Sequence, residues 1–320
     1  MKLRAVFIGA VAVAVALALA LCLPWPGLLA RHGPGARVMV SGGDAGGLPR
    51  VQPQEAHIDA SALERAGRDA AADGLQALVI MRHGYIVFER YGHGMHADSM
   101  IDSGAFAQVL LALLTGIAAH DNSLPLLTLN GFDPSRLRTA IEAGTHQSYP
   151  DYLSLHLWRR LNAAPAWIAL PDAGAATGDG ASAPADCCFH ARLLDWLRVA
   201  CVLLDDGHFE GKSVVPAGWV ARMRRPVSAS GADGFGVELA SAAHGAEPFA
   251  SDDVFFVRGP GRWRLWLMPT LDLGVLFGSQ SDIAAGWDET RLANLVIRAV
   301  AERPEQRSAG SQLQQLVPGH

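Results

Sequence analysis

Several groups of side chains in this sequence have types and spacings that could do chemistry. His93, His96 and Asp98 lie close enough along the chain to share a metal ion. They follow a β-rich run in a glycine-containing stretch, where solvated loop histidines are far commoner than ligands. Cys187 and Cys188 are adjacent, with His190 nearby. The only other cysteines are Cys22 and Cys201, and no C-x-x-C pair occurs, so neither a zinc site nor a disulfide framework is expected. Small residues packed at a helix start are the simpler reading of the cysteine pair. Asp205-Asp206 and Asp252-Asp253 are paired carboxylates of the kind used in acid–base work, but each pair borders a turn, where solvation is the default. Arg258, Arg262 and Arg264 surround Trp263 and Trp266 and could hold an anion. Strand alternation would put Arg262 and Arg264 on one face and Trp263 off it, and an exposed strand edge is the commoner outcome. No cofactor and no metal is expected from any of these sets.

The elements that would carry these residues follow from periodicity. Residues 59–73 read as a helix capped by Asp59 or Ser61 and followed by Gly74. Residues 77–82 and 85–91 are β-rich runs around His83-Gly84, a hairpin signal. Residues 105–120 are apolar almost all round, which marks a helix buried on every side, with Asp102 or Ser103 as its cap. The pattern weakens over 122–149. Helical periodicity returns over 152–161 and 190–204, a short helix fits 216–224, strands fit 254–258, 263–268 and 273–277, and 288–301 reads as a closing helix. This order suggests an α+β fold: an antiparallel sheet made from both chain ends, with helices on its faces.

Half of the 320 residues are hydrophobic and 18% are charged, enough for a sizeable core. A net charge of -5 and a pI near 6.2 give no case for nucleic-acid binding. Lys2 and Arg4 precede an uncharged apolar run over 5–23, roughly 28 Å long as a helix, and Pro24-Trp25-Pro26 ends it. The expectation is an uncleaved single-pass anchor in the inner membrane over 1–30, a linker over 31–56, a domain over 57–303 in the periplasm or extracellular space, and a loose tail over 304–320. A cleaved signal peptide is the alternative, although its Ala18-Leu19-Ala20 box sits inside the apolar run.

Several segments resemble the class C β-lactamase-like serine hydrolases, a group allied to the penicillin-binding proteins, and especially the 6-aminohexanoate-dimer hydrolase branch. The hairpin over 77–91 looks like that family's first two strands. Leu113-Leu-Thr-Gly-Ile-Ala118 resembles the end of its nucleophile-bearing helix. Leu157-Trp158-Arg159-Arg160-Leu161, Cys187-Cys188 through Asp195-Trp196, and Asp206-Gly207 through Val215-Pro216 and Trp219 resemble later family segments. The resemblance implies the β-lactamase/DD-peptidase-like sheet flanked by helices, here with a shortened helical subdomain after the N-terminal transmembrane helix.

The family's chemistry uses S-x-x-K at the start of the buried helix, a Y-x-N or S-x-N element, and a third motif before a strand. Counting back from Gly116-Ile117-Ala118 puts the nucleophile position at Ala105 and the base position at Gln108. Alanine has no nucleophile and glutamine accepts no proton at neutral pH. Lys2 and Lys212 are the only lysines. No Y-x-N is found, and the third motif aligns with Gly259-Pro260-Gly261-Arg262-Trp263, where only the first glycine is retained. Ser103 could be a displaced nucleophile, but Phe106 stands three residues on; an N-cap role is the plainer reading. Gln108 could contact a ligand, or could simply spare the cost of burying a lysine. The resemblance therefore implies a degenerate, non-catalytic domain that binds or scaffolds a small molecule or envelope protein, with Ser103, Phe106, Gly259, Arg262 and Trp263 as its possible pocket. An active hydrolase of amide or ester bonds with its nucleophile elsewhere, and a relic without a ligand, are the rivals.

Overall fold

The computed structural model describes residues 37–124, 131–170, 189–280 and 288–300. Its centre is a six-stranded antiparallel sheet. Strands β2 (Leu75–Arg82) and β3 (Tyr85–Tyr91) form the expected hairpin, with Arg82 opposite Tyr85. His83 and Gly84 both have positive φ, as the tight hairpin turn requires. The later strands are β9 (Glu238–Leu239), β10 (Phe255–Arg258), β11 (Arg264–Met268) and β12 (Leu273–Ser279). Their order is β3-β2-β12-β11-β10-β9, so strands from both chain ends pair in one sheet, as the sequence predicts.

Alternation along the strands divides two cores. Ala77, Val79 and Met81 of β2, with Leu265 and Leu267 of β11, face a large core around helix α2 (Ala107–His120). Leu78 and Ile80, with Trp266 and Met268, face a second core with helices α1 (Ala60–Ala72) and α7 (Glu289–Arg298). Both faces are covered, so each strand is nearly continuously hydrophobic. Burying each large side chain contributes about 1.5–3 kcal/mol. Helix α2 has eleven buried residues. Asp59 caps α1 through the Ser61 amide, and Asp288 caps α7 through the amides of Thr290 and Arg291.

Differences from the sequence reading lie mainly outside the central sheet. Residues 37–56, expected as linker, carry strand β1 (Arg37–Val40), and the Val51 amide bonds to the Ile86 carbonyl. The helix expected over 190–204 begins only at Asp195; residues 189–192 instead form a strand, β6 (Phe189–Arg192). Strands β1, β5 (Ala166–Ala169), β6 and β4 (Met100–Asp102) make a four-stranded sheet in the order β1-β5-β6-β4. These strands are short and far apart in sequence, so local periodicity does not reveal their pairing. The weakly patterned stretch contains helix α3 (Pro134–Thr145), capped by Asp133. The helix expected from residue 152 starts earlier, as α4 (Tyr149–Leu153), and continues as a π-helical turn (Ser154–Trp158). Helix α5 (Asp195–Leu204) packs on β11 and β12, and the short helix α6 (Trp219–Met223) packs on α2.

Among the described residues no helix is long and apolar enough to cross a membrane. The expected anchor over 1–30, the tail over 304–320, Cys22 and the Cys187-Cys188 pair lie outside the described residues.

Candidate functional site

A cleft of about 460 Å³ opens where the start of the buried helix meets the edge of the sheet. Ala105 and Gln108 line one side, and Val257 and Arg258 at the end of β10 line another. Ala105 belongs to a 3-10 turn (Gly104–Phe106) that leads into α2, and Gln108 to the first turn of α2. A spacing of three residues puts both on one face. Both are partly exposed on a helix that is otherwise buried for most of its length. The remaining wall comes from Gly131, Phe132, a loop that includes Val227, Ser228 and Asp233, and Glu238 at the start of β9.

The five residues expected as a pocket do gather at the helix start, but as packing behind the cleft. Ser103 and Phe106 are fully buried, and Arg262 and Trp263 are each 7% exposed. Phe106 meets Trp196 with ring centroids 5.2 Å apart. Gly259 presents its Cα to Trp263 and Phe106, with room for no side chain: a Cβ there would lie 2.7 Å from the Trp263 Cβ. Pro260 packs against Gly104, whose φ of +45° leaves a left-handed backbone with its Cα face covered by the proline ring. The Trp263 indole lies flat over the backbone of Gly278 on β12; a Cβ at Gly278 would approach the ring to 2.4 Å. The Gly259–Trp263 segment therefore closes onto the turn that starts the buried helix.

Ser103 corrects one expectation. It stands at the start of the 3-10 turn but makes no side-chain cap bond, and its Oγ has no hydrogen-bond partner among the described residues. Asp102 takes that part, accepting the Gly104 amide at 3.1 Å. Ser103 is held through its backbone instead: its amide donates to the Phe189 carbonyl at 2.8 Å, which the sequence hid because strand β6 was not visible there.

The arginines correct another. Arg262 and Trp263 precede β11 in a turn, where the Trp263 amide bonds to the Pro260 carbonyl, and neither Arg262 nor Arg264 is at an exposed edge. Arg264 sits on a central strand and is buried against Glu289, whose carboxylate it pairs with. Arg258 pairs with Glu238 and, at 3.0 Å, with Glu289. Two arginines and two carboxylates thus neutralise one another, and Arg258, which faces the cleft, already has carboxylates on its guanidinium. Burial pushes Glu289 toward neutrality, but hydrogen bonds from Arg258 and Arg264 outweigh it and hold its carboxyl below the ordinary glutamate value. Burial dominates at Glu238 and raises it despite Arg258.

The remaining candidates are dispersed. Asp98 pairs with Arg192 at 3.0 Å, and among the described residues no group of three or more histidine, cysteine or acidic side chains could hold a metal ion. Asp206 accepts the amides of Gly218 and Ala221 at the start of α6, and Asp253 accepts the Thr270 amide and the Ser251 hydroxyl. Both carboxylates therefore hold turns rather than only facing solvent. Cys201 is a half-buried free thiol. The cleft residues missed at the sequence level are Ser228, Asp233 and Glu238. Their one local signal is a pair of acids in the glycine-rich run over 231–238.

No family model matches this sequence and no curated protein matches it. Solved structures do. A putative 6-aminohexanoate-dimer hydrolase from Bacillus anthracis superposes with a TM-score of 0.62 at 13% identity, over 89% of this chain and 92% of that one. A β-lactamase from Mycobacterium bovis superposes with a TM-score of 0.56 at 14% identity, over 74% of this chain and all of that one (100%). A novel penicillin-binding protein homologue from Caulobacter crescentus gives 0.55 at 13% identity, over 79% and 100% of the two chains. The central antiparallel sheet, the buried helix beside it and the helices on both faces are therefore the fold of the serine β-lactamases and penicillin-binding proteins, and this chain has that fold.

Proposed function

We propose that this chain is a non-catalytic member of the β-lactamase-related family, anchored in the inner membrane by residues 1–30, whose cleft binds or scaffolds a ligand outside the cytoplasm. The observation that carries this reading is the cleft wall itself. The two side chains that the buried helix presents there, in the register of the family's nucleophile and base, are Ala105 and Gln108. Among the described residues, no lysine or histidine lines the cleft. Ser103 supports the same reading, since a fully buried hydroxyl behind Pro260 is out of reach of an acyl donor. In a serine protease, loss of the nucleophile alone costs about 10⁶ in turnover.

The rival reading is an active hydrolase of amide or ester bonds, and one residue favours it: Ser228 lines the cleft. Its hydroxyl bonds to that of Ser230 at 2.9 Å, and among the described residues no imidazole or ammonium lines the cleft to take its proton. The deciding experiment exposes the purified chain to a fluorophosphonate and to a reactive β-lactam, with intact-mass detection. No adduct is expected. An adduct that disappears in Ser228→Ala or Ser103→Ala would make the chain an enzyme and identify its nucleophile. The anchor has its own test. With a periplasm-dependent reporter at the C-terminus, the chain should be active and stay with membranes after a high-salt wash; recovery of a soluble chain beginning near Leu21 would replace the anchor with a cleaved signal.

A further inference from the structure

A second cavity, of about 640 Å³, lies at the opposite end of the central sheet from the cleft. The cleft takes in Arg258, where β10 ends. The second cavity takes in Met81, His83 and Tyr85 around the first hairpin turn, and Pro269 and Asp272 from the β11–β12 turn. Its outer wall is β7 (His208–Phe209) and the Glu210-Gly211 turn that leads on to β8 (Lys212–Ser213), together with the end of α5.

Its lining has a consistent chemistry. Leu48, Met81, Leu204 and Phe209 make an apolar floor. Asp205, Glu210 and Asp272 contribute three carboxylates, and among the described residues no lysine or arginine lines the cavity. His83 holds Asp272 at 3.0 Å, and His208 uses its Nδ1 on the Asp205 carbonyl. The carboxylates of Asp205 and Glu210 form no ion pair among the described residues. Tyr85, 42% exposed, and the largely buried Phe209 contribute aromatic rings to the same lining. The Cys201 thiol, which also lines the cavity, registers its field: burial lifts it toward about 12, and the charges of Asp272 and Glu210 push the same way against Arg198.

We infer that this cavity binds a small organic cation with an apolar body, such as a substituted ammonium ion, its hydrocarbon on the floor and its charge toward Asp205 and Glu210. An apolar floor alone would take any hydrocarbon, and carboxylates alone any cation. Together with the aromatic rings they select a molecule that is both. A carboxylate ligand would meet three like charges, and of the two lining histidines His83 is already turned to Asp272 and His208 to the Asp205 carbonyl. This inference is independent of the cleft and holds whether or not the cleft is catalytic.

The experiment is calorimetric titration of the full-length chain with phenyltrimethylammonium, compared with tert-butylbenzene, which has the same shape without the charge, and with benzoate. The cation should bind saturably and at least about tenfold tighter than either. Asp205→Asn combined with Glu210→Gln should weaken it at least about tenfold. Both sites are exposed, so the variant should keep its melting temperature. Asp233→Asn, in the cleft, should leave cation binding unchanged. Equal affinity for tert-butylbenzene would reduce the cavity to an unselective apolar hole. Absence of saturable cation binding, full binding by the double variant, or loss of binding in Asp233→Asn would each overturn the inference.

Discussion

Two buried charge clusters in this molecule end with their carboxylates shifted in opposite directions, although burial pushes both upward. Beside the cleft, Glu289 accepts from both Arg258 and Arg264 and is held below the ordinary glutamate value. At the start of α5, Asp195 pairs with Arg198 at 3.2 Å and accepts the Ala164 amide, yet burial raises it from 3.8 to about 6. The two carboxylates are almost equally buried: their side chains are 3% and 5% exposed. Direct contacts decide the sign. Glu289 accepts from two guanidiniums, whereas Asp195 is touched by one, with Arg192 acting only at longer range, and that one guanidinium donates its Nη1 to the Leu161 carbonyl and its Nη2 to the Gly46 carbonyl. Desolvation of a carboxylate is offset only when enough positive charge and enough donors replace the lost water.

The largest effect should follow Glu289→Gln. Removing the shared carboxylate leaves Arg264 buried without its charge partner, and a loss of about 3–5 kcal/mol in urea unfolding is expected. A loss under about 1 kcal/mol would show that Glu238 and backbone carbonyls suffice for both arginines, and the contrast with Asp195 would collapse.

The pH dependence sharpens the same contrast. Asp195 has a raised folded-state value, so its favourable contribution is fully present below 3.8 and is lost as pH rises through about 6. That rise corresponds to about 3 kcal/mol. Glu289 has a lowered value, so its contribution is present above 4.5 and is lost as pH falls through its folded value. Asp195→Asn should therefore remove a decline in stability between about pH 4 and 6 and leave acid sensitivity below that window intact. An unchanged profile between those pH values would place the Asp195 carboxylate in a more solvated setting than its contacts indicate.

A steric change at the packed side of the cleft should cost less. Gly278→Ala drives a methyl group into the Trp263 ring, at about 1–3 kcal/mol, without touching either ion cluster. A neutral outcome would mean that the indole can move off β12.

The smallest stability effect is expected on the open side. Ala105→Ser with Gln108→Lys changes two partly exposed positions and should shift stability by roughly 0.5 kcal/mol or less. It should also fail to produce ester or amide turnover above a matched blank, because Arg262 and Trp263 still occupy the third-motif segment. Clear turnover would mean that the cleft retains its catalytic geometry and lost only two side chains.

Much of the central fold was legible in the sequence because it is written in local patterns. The hairpin turn at His83-Gly84, the three-strand run and the all-apolar helix each announce themselves within a few residues. Two of the family-like segments meet in one packing contact: Gly116 touches the Trp219 indole, whose Nε1 bonds to the Ala112 carbonyl at 3.0 Å. The register that puts Ala105 and Gln108 side by side was legible too, since it follows from helix geometry.

The sequence by itself determined the strands of the central sheet other than its short edge strand, the buried helix, and that Ala105 and Gln108 stand three residues apart at its start. Only the tertiary structure decided that residues 37–40 and 189–192 pair in a second sheet, that Arg264 is buried rather than at an edge, and that the loop carrying Ser228 and Asp233 forms the cleft wall. The reason is physical. Periodicity reports which face of an element avoids water, but partner choice, the desolvation of a charge and the side chains that meet across a cleft depend on residues brought together from distant parts of the chain.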